Sequence, residues 1–259
     1  MSLLSHIDRR VLVTGGGSGI GLTIAQAFEE AGARVHVSDV DASALRTISD
    51  HPTISSTTAD VTSSEQVASM FDDVTKNLGG LDVLVNNAGT AGPHGPVETL
   101  GPEEWRRTVS VNLESQFLCA RLAIPLLRAS GGGSIINMSS TAGQHGYPMR
   151  SPYAAAKWGV IGFTKTLAME LGPADIRVNA ICPGSVTGDR IERVISAAAE
   201  DANVDPGVIR DRWIGQTSLR TFVDPEDVAG LILFITSDAG SKISGQALAV
   251  DGHTEGLGV

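Results

Sequence analysis

The chain has 259 residues, which is enough for one large α/β domain or two small ones with a sizeable core. Its 29 acidic side chains outnumber the 19 basic ones, so neither nucleic acid nor an anionic membrane is expected as a partner. The two cysteines lie in apolar runs without disulfide or metal-ligand spacing, and no metal site is expected. No run approaches the roughly 20 apolar residues of a membrane span, and the first residues do not form a signal peptide, so we expect a cytoplasmic protein.

An apolar run at residues 11–14 leads into a glycine-rich turn and then into a helical pattern. In this strand–turn–helix context a glycine motif holds phosphate at a helix N-terminus. The spacing is Thr-Gly-x-x-x-Gly-x-Gly, because Ile20 occupies the place of the last glycine of G-x-G-x-x-G. The residues expected to hold a pyrophosphate are Gly15, Ser18, Gly19, Ile20 and Gly21. The alternative is a glycine-rich turn that binds no ligand.

The second predicted strand, at residues 33–38, ends at Asp39, which lies 20 residues after Gly19. At this position an acid accepts hydrogen bonds from the adenosine ribose of a dinucleotide. A carboxylate here would repel the 2′-phosphate of NADP(H), and the glycine turn contains no Arg or Lys, so NAD(H) is the expected cofactor. Alternatively, Asp39 only caps the following helix, as Asp41 or Ser43 could.

Residues 53–59 alternate weakly and predict a third strand. It ends at Asp60 and Val61, before a helix that starts at Ser63 or Ser64. Asp60 either accepts a hydrogen bond from the adenine amino group or only caps that helix.

Residues 81–85 have the continuous apolar character of a strand inside a parallel sheet. The small residues that follow would let the backbone approach a ligand: Asn87, Ala88 and Gly89. One long helix is predicted at residues 102–128, and Pro125 is expected to bend it. Asn112 lies among apolar neighbours of this helix and needs a hydrogen-bond partner if it is buried.

A fifth strand at residues 134–138 delivers Ser139 and Ser140 to its carboxyl end. The next helix, at residues 152–171, is predicted to start at Ser151-Pro152, with the serine as cap and the proline in the first turn. Tyr153 and Lys157 then lie four residues apart and share one face of that helix.

A tyrosine near an ammonium group is suited to acid–base chemistry. Its ordinary pKa of about 10 makes it a poor base near neutral pH. A cation within roughly 4–6 Å lowers such a pKa by about 1–3 units, towards the useful range. Tyr153 beside Lys157, facing the Ser140 hydroxyl, would form such a site. Tyrosine and lysine at helical spacing also occur by chance, so the interpretation depends on the rest of the chain.

The remaining pattern predicts a sixth strand at residues 176–181, broken by Pro183-Gly184, and a last strand at residues 245–250. Between them a helix starts at residues 224–227. Residues 188–216 are polar, Ala-rich and helix-prone. A long excursion of this kind beyond a strand end is typical of a mobile substrate lid, here within a single domain of residues 1–259.

Together these motifs resemble those of the short-chain dehydrogenase/reductase family. The matches occur in family order over almost the whole chain: Thr14-Gly15, Gly19-Ile20-Gly21, Asp60, Asn86-Asn87-Ala88-Gly89, Asn112, Ser140, Tyr153, Lys157, Pro183-Gly184 and Thr187. The resemblance implies an α/β fold, a single doubly wound Rossmann-like domain with a seven-stranded parallel sheet and helices on both faces. Ligands of such sheets bind beyond the carboxyl ends of the strands.

The resemblance also implies a role for each catalytic position. Tyr153 would be the general acid/base on the substrate oxygen, and Lys157 would lower its pKa and hold the nicotinamide ribose. Ser140, chosen over Ser139 for its spacing to the tyrosine, would donate a hydrogen bond to the substrate oxygen. Asn112 would anchor a water that links Lys157 to solvent. The other implied cofactor contacts are Asp60, Val61, Asn87, Ala88, Gly89, Tyr153, Lys157, Pro183, Gly184, Val186 and Thr187.

The implied reaction is reversible hydride transfer between NAD and a secondary alcohol or ketone. The first alternative is a 3-oxoacyl carrier-protein reductase, although such enzymes usually favour NADP(H), against which Asp39 argues. A non-catalytic dinucleotide-binding redox sensor is the second. Family resemblance further implies pairing into a homotetramer through the helices that begin at Pro102 and Pro152.

Substrate identity is left open by the sequence. The candidate pocket segments are residues 90–97, 141–151 and 188–216, with the tail near His253, and within them His145, Tyr147, Met149, Arg150 and Arg190 could touch substrate. Arg150 or Arg190 would either pair with a carboxylate, sulfonate or phosphate or be an ordinary exposed arginine.

Overall fold

The computed structural model describes residues 4–46, 48, 51 and 53–257. Within them, seven parallel strands form one sheet in the order β3-β2-β1-β4-β5-β6-β7. The strands are β1 Arg10–Thr14, β2 Arg34–Asp39, β3 Ile54–Thr58, β4 Val83–Asn86, β5 Gly133–Met138, β6 Ile176–Pro183 and β7 Ala247–Val250. The strand order reverses between β1 and β4, and a crevice for a ligand opens at such a point beyond the strand ends. The predicted sheet is therefore confirmed.

Helices connect these strands and cover both faces of the sheet. They are α1 Gly19–Glu30, α2 Ala42–Arg46, α3 Ser64–Leu78, α4 Pro102–Val109, α5 Ser115–Ala129, α6 Ser151–Leu171, α7 Asp189–Ala202, α8 Pro206–Gly215 and α9 Pro225–Thr236. Successive strand residues point to opposite faces. In β1, Val11 and Val13 therefore pack in a core with α1 and α9, whereas Leu12 packs in a second core with α3, α5 and α6.

The predicted helix at residues 102–128 is interrupted. A wide turn at Ser110–Glu114 separates α4 from α5, and the Ser115 N–H bonds to the carbonyl of Ser110, five residues earlier. Such π-type turns are rare and frequently lie at functional sites. Sequence periodicity does not reveal one, because the extra residue widens a single turn and leaves the helical repeat on either side unchanged.

The expected break at Pro183 is wrong, because β6 includes this residue. A proline at the end of a strand removes only one N–H donor from the sheet, and the neighbouring Gly184 N–H still bonds to Val250 O at 2.9 Å. Ser151 is not the cap of α6 but its first residue, and its hydroxyl is buried without a partner. Arg150 occupies the capping position instead, without a side-chain capping bond.

The predicted lid consists of α7 and α8, which share a small apolar cluster of their own around Ile195, Ala199 and Ile209. Its contacts with the rest of the domain include His94 Nδ1, which lies 2.7 Å from Asp201 Oδ2. Among the described helices, none is both long enough and apolar enough to cross a membrane.

Candidate active site

The glycine turn after β1 is held against the turn after β4. The Thr14 hydroxyl accepts the N–H groups of Asn87 and Ala88, both at 3.1 Å. In return, the Asn87 side-chain amide donates to the carbonyls of Thr14 and Gly15 at 3.0 and 2.9 Å. These bonds bring together two segments that the sequence predicts to contact one cofactor.

Two glycines are required by this packing. Gly15 has φ +62°, and a Cβ on it would lie 2.9 Å from Ala88 Cα. A Cβ on Gly21 would lie 2.0 Å from the carbonyl oxygen of Gly15, closer than atoms can approach. At the start of α1 the Ser18 side chain makes no capping bond, and the first turn contains no acid. N–H groups at such a helix start suit an anion, so the turn fits the pyrophosphate of a dinucleotide.

Asp39 lies beside this turn at the end of β2. Its Oδ2 accepts the Gly17 N–H at 3.0 Å, and its Oδ1 accepts the Asp41 N–H at 3.0 Å. The cap of α2 is Asp41, whose Oδ1 accepts the Ser43 N–H at 2.8 Å, so the alternative that Asp39 only caps this helix is wrong. The carboxylate is near the glycine turn, where a ribose acceptor is expected.

Asp60 does not cap α3 either. The capping bond runs from the Gln66 N–H to the Ser63 hydroxyl at 3.3 Å. Asp60 Oδ1 instead accepts the N–H and hydroxyl of Thr62 at 2.9 and 2.7 Å, and these bonds lower the pKa of Asp60. The adjacent Val61 is buried.

Asn112 lies in the wide turn between α4 and α5 and is fully buried. Its amide donates to the carbonyls of Thr90 and Thr108 at 3.1 and 2.9 Å, and its Oδ1 accepts the Thr90 N–H at 3.2 Å. The predicted partner of this buried polar residue is therefore the backbone of the segment that follows Gly89. A Cβ on Gly89 would lie 2.9 Å from the Asn112 oxygen, so this contact also depends on glycine.

Lys157 points its ammonium group into the protein. Its Nζ donates to Met138 O at 2.8 Å, and only 3% of the residue is exposed. Burial, with a smaller contribution from the nearby charge of Arg190, lowers the pKa of Lys157 from 10.5 to about 7. Gln116, which no sequence motif singles out, donates from Nε2 to both Met138 O and Asn112 O at 3.1 Å. A polar residue four positions after Asn112 in an apolar run was the available signal.

Tyr153 and Lys157 lie on one face of α6, as predicted. The lysine Nζ is 5.6 Å from the centre of the tyrosine ring. A polarisable ring and an ammonium group at this separation attract one another electrostatically. The two groups that an acid–base site needs are therefore neighbours.

The two serines after β5 take different orientations. The Ser139 hydroxyl donates to the backbone carbonyl of Lys157 at 2.9 Å and is committed to α6. The Ser140 oxygen accepts the Ala142 N–H at 3.1 Å, which leaves its hydroxyl proton for another acceptor. This difference agrees with the choice of Ser140 over Ser139.

The segment after β6 is tied to the segment before α9. Val186 pairs with Val223, and the Thr187 N–H bonds to Val223 O at 2.8 Å. The Thr187 hydroxyl donates to Asp224 at 2.7 Å. A Cβ on Gly184 would lie 3.0 Å from Asp251 Cα, so the turn after Pro183 also packs closely against the end of β7.

A narrow cavity lies between the segment after β6, the predicted lid and the C-terminal residues near Thr254. It is lined by Thr141, Tyr147, Gly184, Ser185, Trp213, Gln216, Thr217, Thr254 and Leu257. Tyr147 was among the expected substrate contacts, whereas Trp213 and Leu257 were not singled out. Met149 and Arg190 are exposed, and Arg150 is buried. His253 lies outside the lining and pairs through Nδ1 with the Ser218 hydroxyl.

Residues 15–253 match the family model described as enoyl-(acyl carrier protein) reductase. The chain is 36% identical to a D-beta-hydroxybutyrate dehydrogenase of Rhizobium meliloti, over 95% of this chain and 98% of the relative. It is 34% identical to the 3-oxoacyl-[acyl-carrier-protein] reductase FabG of Chlamydia trachomatis, over 95% of this chain and 97% of the relative.

Among solved structures, an NAD⁺-bound xylitol dehydrogenase superposes with a TM-score of 0.91 at 30% identity, over 94% of this chain and 98% of the other. The agreement in sequence and in fold extends over nearly the full length of each protein. The chain therefore belongs to the short-chain dehydrogenase/reductase family.

Proposed function

We propose that this protein is an NAD(H)-dependent oxidoreductase that interconverts a secondary alcohol and its ketone. The observation that carries the proposal is the Tyr153–Lys157 pair at the sheet edge that also holds the glycine turn and Ser140. NAD is the cofactor of a neighbour in the structural comparison, and Asp39 favours it here. The reaction class agrees with the names of the relatives, which are dehydrogenases and reductases.

The cofactor would lie along the carboxyl edge of the sheet, where the turns are shaped for it. Gly15, Ser18, Gly19, Ile20 and Gly21 hold the pyrophosphate. Asp39 accepts from the adenosine ribose, and Asp60, Val61, Asn87, Ala88 and Gly89 surround the adenosine side. Tyr153 and Lys157 hold the nicotinamide ribose, and Pro183, Gly184, Val186 and Thr187 hold the nicotinamide carboxamide. When bound, the nicotinamide supplies the hydride chemistry.

The protein moves the proton of the substrate hydroxyl. Tyr153 accepts this proton during oxidation and returns it during reduction. Ser140 donates a hydrogen bond to the substrate oxygen and stabilises the charge that develops there. Lys157 lies beside Tyr153, with its Nζ 5.6 Å from the centre of the tyrosine ring, and stabilises negative charge on the tyrosine oxygen during this transfer.

Asn112 connects this pair to the interior of the protein. It holds the wide turn and the segment at Thr90, and its main-chain carbonyl shares the Gln116 amide with Met138 O, the acceptor of Lys157. We assign to Asn112 the anchoring of water between Lys157 and solvent. The lid, residues 188–216, closes the substrate cavity within a single domain of residues 1–259.

A spectrophotometric assay tests the function. NADH absorbance is followed with a panel of ketones, and NAD⁺ reduction with the matching secondary alcohols, including D-3-hydroxybutyrate and xylitol. Oxidation of NADH by any ketone supports the proposal. Saturable NADH binding without turnover across the panel would favour a redox sensor instead.

A 3-oxoacyl carrier-protein reductase is the second candidate, favoured by the identity to FabG and by the description of the matching family model. Acetoacetyl carrier protein with NADPH, compared with NADH and small ketones, distinguishes the two. Preference for the carrier-protein substrate and NADPH would select the second candidate.

Cofactor preference gives the first mutational prediction. Asp39→Asn keeps an acceptor for the Gly17 N–H but removes the charge that opposes a 2′-phosphate. We expect the ratio of kcat/KM for NADP⁺ to that for NAD⁺ to rise about tenfold or more, because like charges in contact cost several kcal/mol. The matched control is Asp41→Asn, which alters an exposed helix cap and should leave the ratio unchanged. An unchanged ratio in Asp39→Asn would contradict the assignment.

We further propose a cytoplasmic homotetramer. Large apolar side chains are exposed on the helices expected to pair: Trp105 and Phe117 on α4 and α5, and Trp158 and Met169 on α6, of which Met169 is 83% exposed. Exposed apolar faces of this kind mark interfaces. Sedimentation velocity at micromolar concentration should give a tetramer, and a monomer would count against the proposal.

A further inference from the structure

Arg150 is an arginine that the fold buries without an acidic partner. Only 6% of the residue is exposed, and its Nε is buried with no hydrogen-bond acceptor. Among the residues that the structure describes, its side chain has one acceptor, Ala91 O, which lies 3.2 Å from Nη1. In the described part of the chain no carboxylate forms an ion pair with it. A guanidinium carries five N–H donors, and the one on Nε is enclosed by the protein without an acceptor.

Two partly buried arginines elsewhere in the protein have hydrogen-bond partners. Arg10 pairs with Asp82 through Nη2 at 2.7 Å and through Nε at 2.8 Å. Arg177 donates to the backbone carbonyls of Ile235, Gly240 and Ile243. Burying a charge without such partners is strongly unfavourable. Arg150 is therefore an exception within this fold, and an exception of this kind points to a partner that arrives from outside.

The position of Arg150 suggests what that partner is. It immediately precedes α6 and lies three residues before Tyr153, at the end of a turn in which Met149 has φ +63°. Such strained backbone is uncommon for a bulky residue and clusters at functional sites. The backbone N–H of Arg150 donates at 3.3 Å to the carbonyl of Tyr147, a residue that lines the cavity. The guanidinium thus lies in the same region as the proposed acid–base group.

We propose that Arg150 binds a carboxylate on the substrate, so that the enzyme acts on hydroxy acids and their keto acids. A planar carboxylate matches the paired N–H donors of a guanidinium and would neutralise the buried charge. The inference rests on the proposed oxidoreductase function and specifies its substrate class. Arg190, the other candidate, is exposed on α7 and can satisfy its charge in water.

The test compares acids with uncharged amides of the same shape. Reduction is measured with 3-oxobutanoate and 3-oxobutanamide, and with 4-oxocyclohexanecarboxylate and its carboxamide, which span two distances between ketone and carboxylate. For the pair that the enzyme accepts better, kcat/KM should be about 10- to 100-fold higher for the acid. Arg150→Gln should abolish this preference, mainly through KM, while turnover of the amide persists. Arg150→Lys should retain part of it, and Arg190→Gln should leave it intact.

A purely structural role of Arg150, holding Ala91, would lower activity on acid and amide alike and leave their ratio unchanged. That result would overturn the proposal, as would a loss of preference in Arg190→Gln but not in Arg150→Gln. If the enzyme reduces neutral ketones but prefers neither acid over its amide, the role of Arg150 is overturned and the oxidoreductase function still holds. Absence of turnover with every ketone would overturn both. If Arg150→Gln fails to fold, the melting temperatures of the NADH complexes of the wild type and of Arg150→Lys are compared. Cyclohexanecarboxylate should raise the melting temperature more in the wild type than in Arg150→Lys. Its carboxamide should show no such difference.

Discussion

Tyr153→Phe is expected to lower kcat by about a thousandfold, with little effect on NADH binding. The substitution removes one oxygen, and a general acid/base contributes on the order of 10² to 10⁴ to rate. The ring that lies over the Lys157 ammonium is retained, so the packing of α6 should change little. Steady-state assays with a ketone from the panel give kcat, and NADH fluorescence titration gives the dissociation constant.

The chain provides a matched control for this experiment, because it contains only two tyrosines. Tyr147 lines the cavity, and burial raises its pKa, so it is poorly suited to give up a proton. Tyr147→Phe should therefore change kcat far less than Tyr153→Phe does. Turnover near the wild-type level in Tyr153→Phe would remove the proton-transfer role from this residue.

The order of strands and helices could be predicted from the sequence because each motif stands at the carboxyl end of a strand. In a parallel sheet these ends share one edge, so Gly15, Asn87 and Ser140 had to come together once the strands were recognised. The neighbourhood of Tyr153 and Lys157 followed from helical periodicity alone. These features depend on local sequence patterns and can be predicted without the tertiary contacts.

The features that escaped prediction depend on contacts between distant segments. The wide turn at Ser110–Glu114 is coupled to the bonds that Asn112 makes with Thr90, and neither is visible in a local pattern. Gln116 owes its position to Met138, which lies on another element. The burial of Arg150 likewise depends on Ala91, 59 residues earlier. Hydrogen bonds of this kind are set by tertiary packing, which a single sequence does not display.

The low pKa of Lys157 indicates that burying this ammonium group is unfavourable for the stability of the folded protein. A neutral apolar residue of similar length would fill the same space without a buried charge. The protein instead retains an ammonium group that it can keep protonated only near or below neutral pH when nothing else is bound. Such a group is expected where function, and not packing, determines the residue.

Lys157→Met separates these two contributions. Turnover should fall by about a hundredfold or more, because charge that develops on the tyrosine oxygen loses the neighbouring ammonium group. Without cofactor and near pH 6, the variant should nevertheless be at least as stable as the wild type in urea unfolding at equal protein concentration. Wild-type Lys157 is protonated in both states at that pH, so its folded form carries the full burial penalty, offset only by the bond to Met138 O at 2.8 Å.

The pH dependence of this difference has a defined sign. Burial lowers the pKa of Lys157 from 10.5 to about 7, so between these values the unfolded chain holds a proton that the folded chain has released. Wild-type stability therefore gains from this group as pH rises, by up to about 1.4 kcal/mol per pH unit, and the variant lacks this gain. The difference in free energy of unfolding between Lys157→Met and the wild type should therefore favour the variant most at pH 6 and shrink towards pH 9. The other titrating groups are the same in both proteins and cancel in this difference. An advantage that grew with pH would mean that Lys157 is not held in an environment that disfavours its charge.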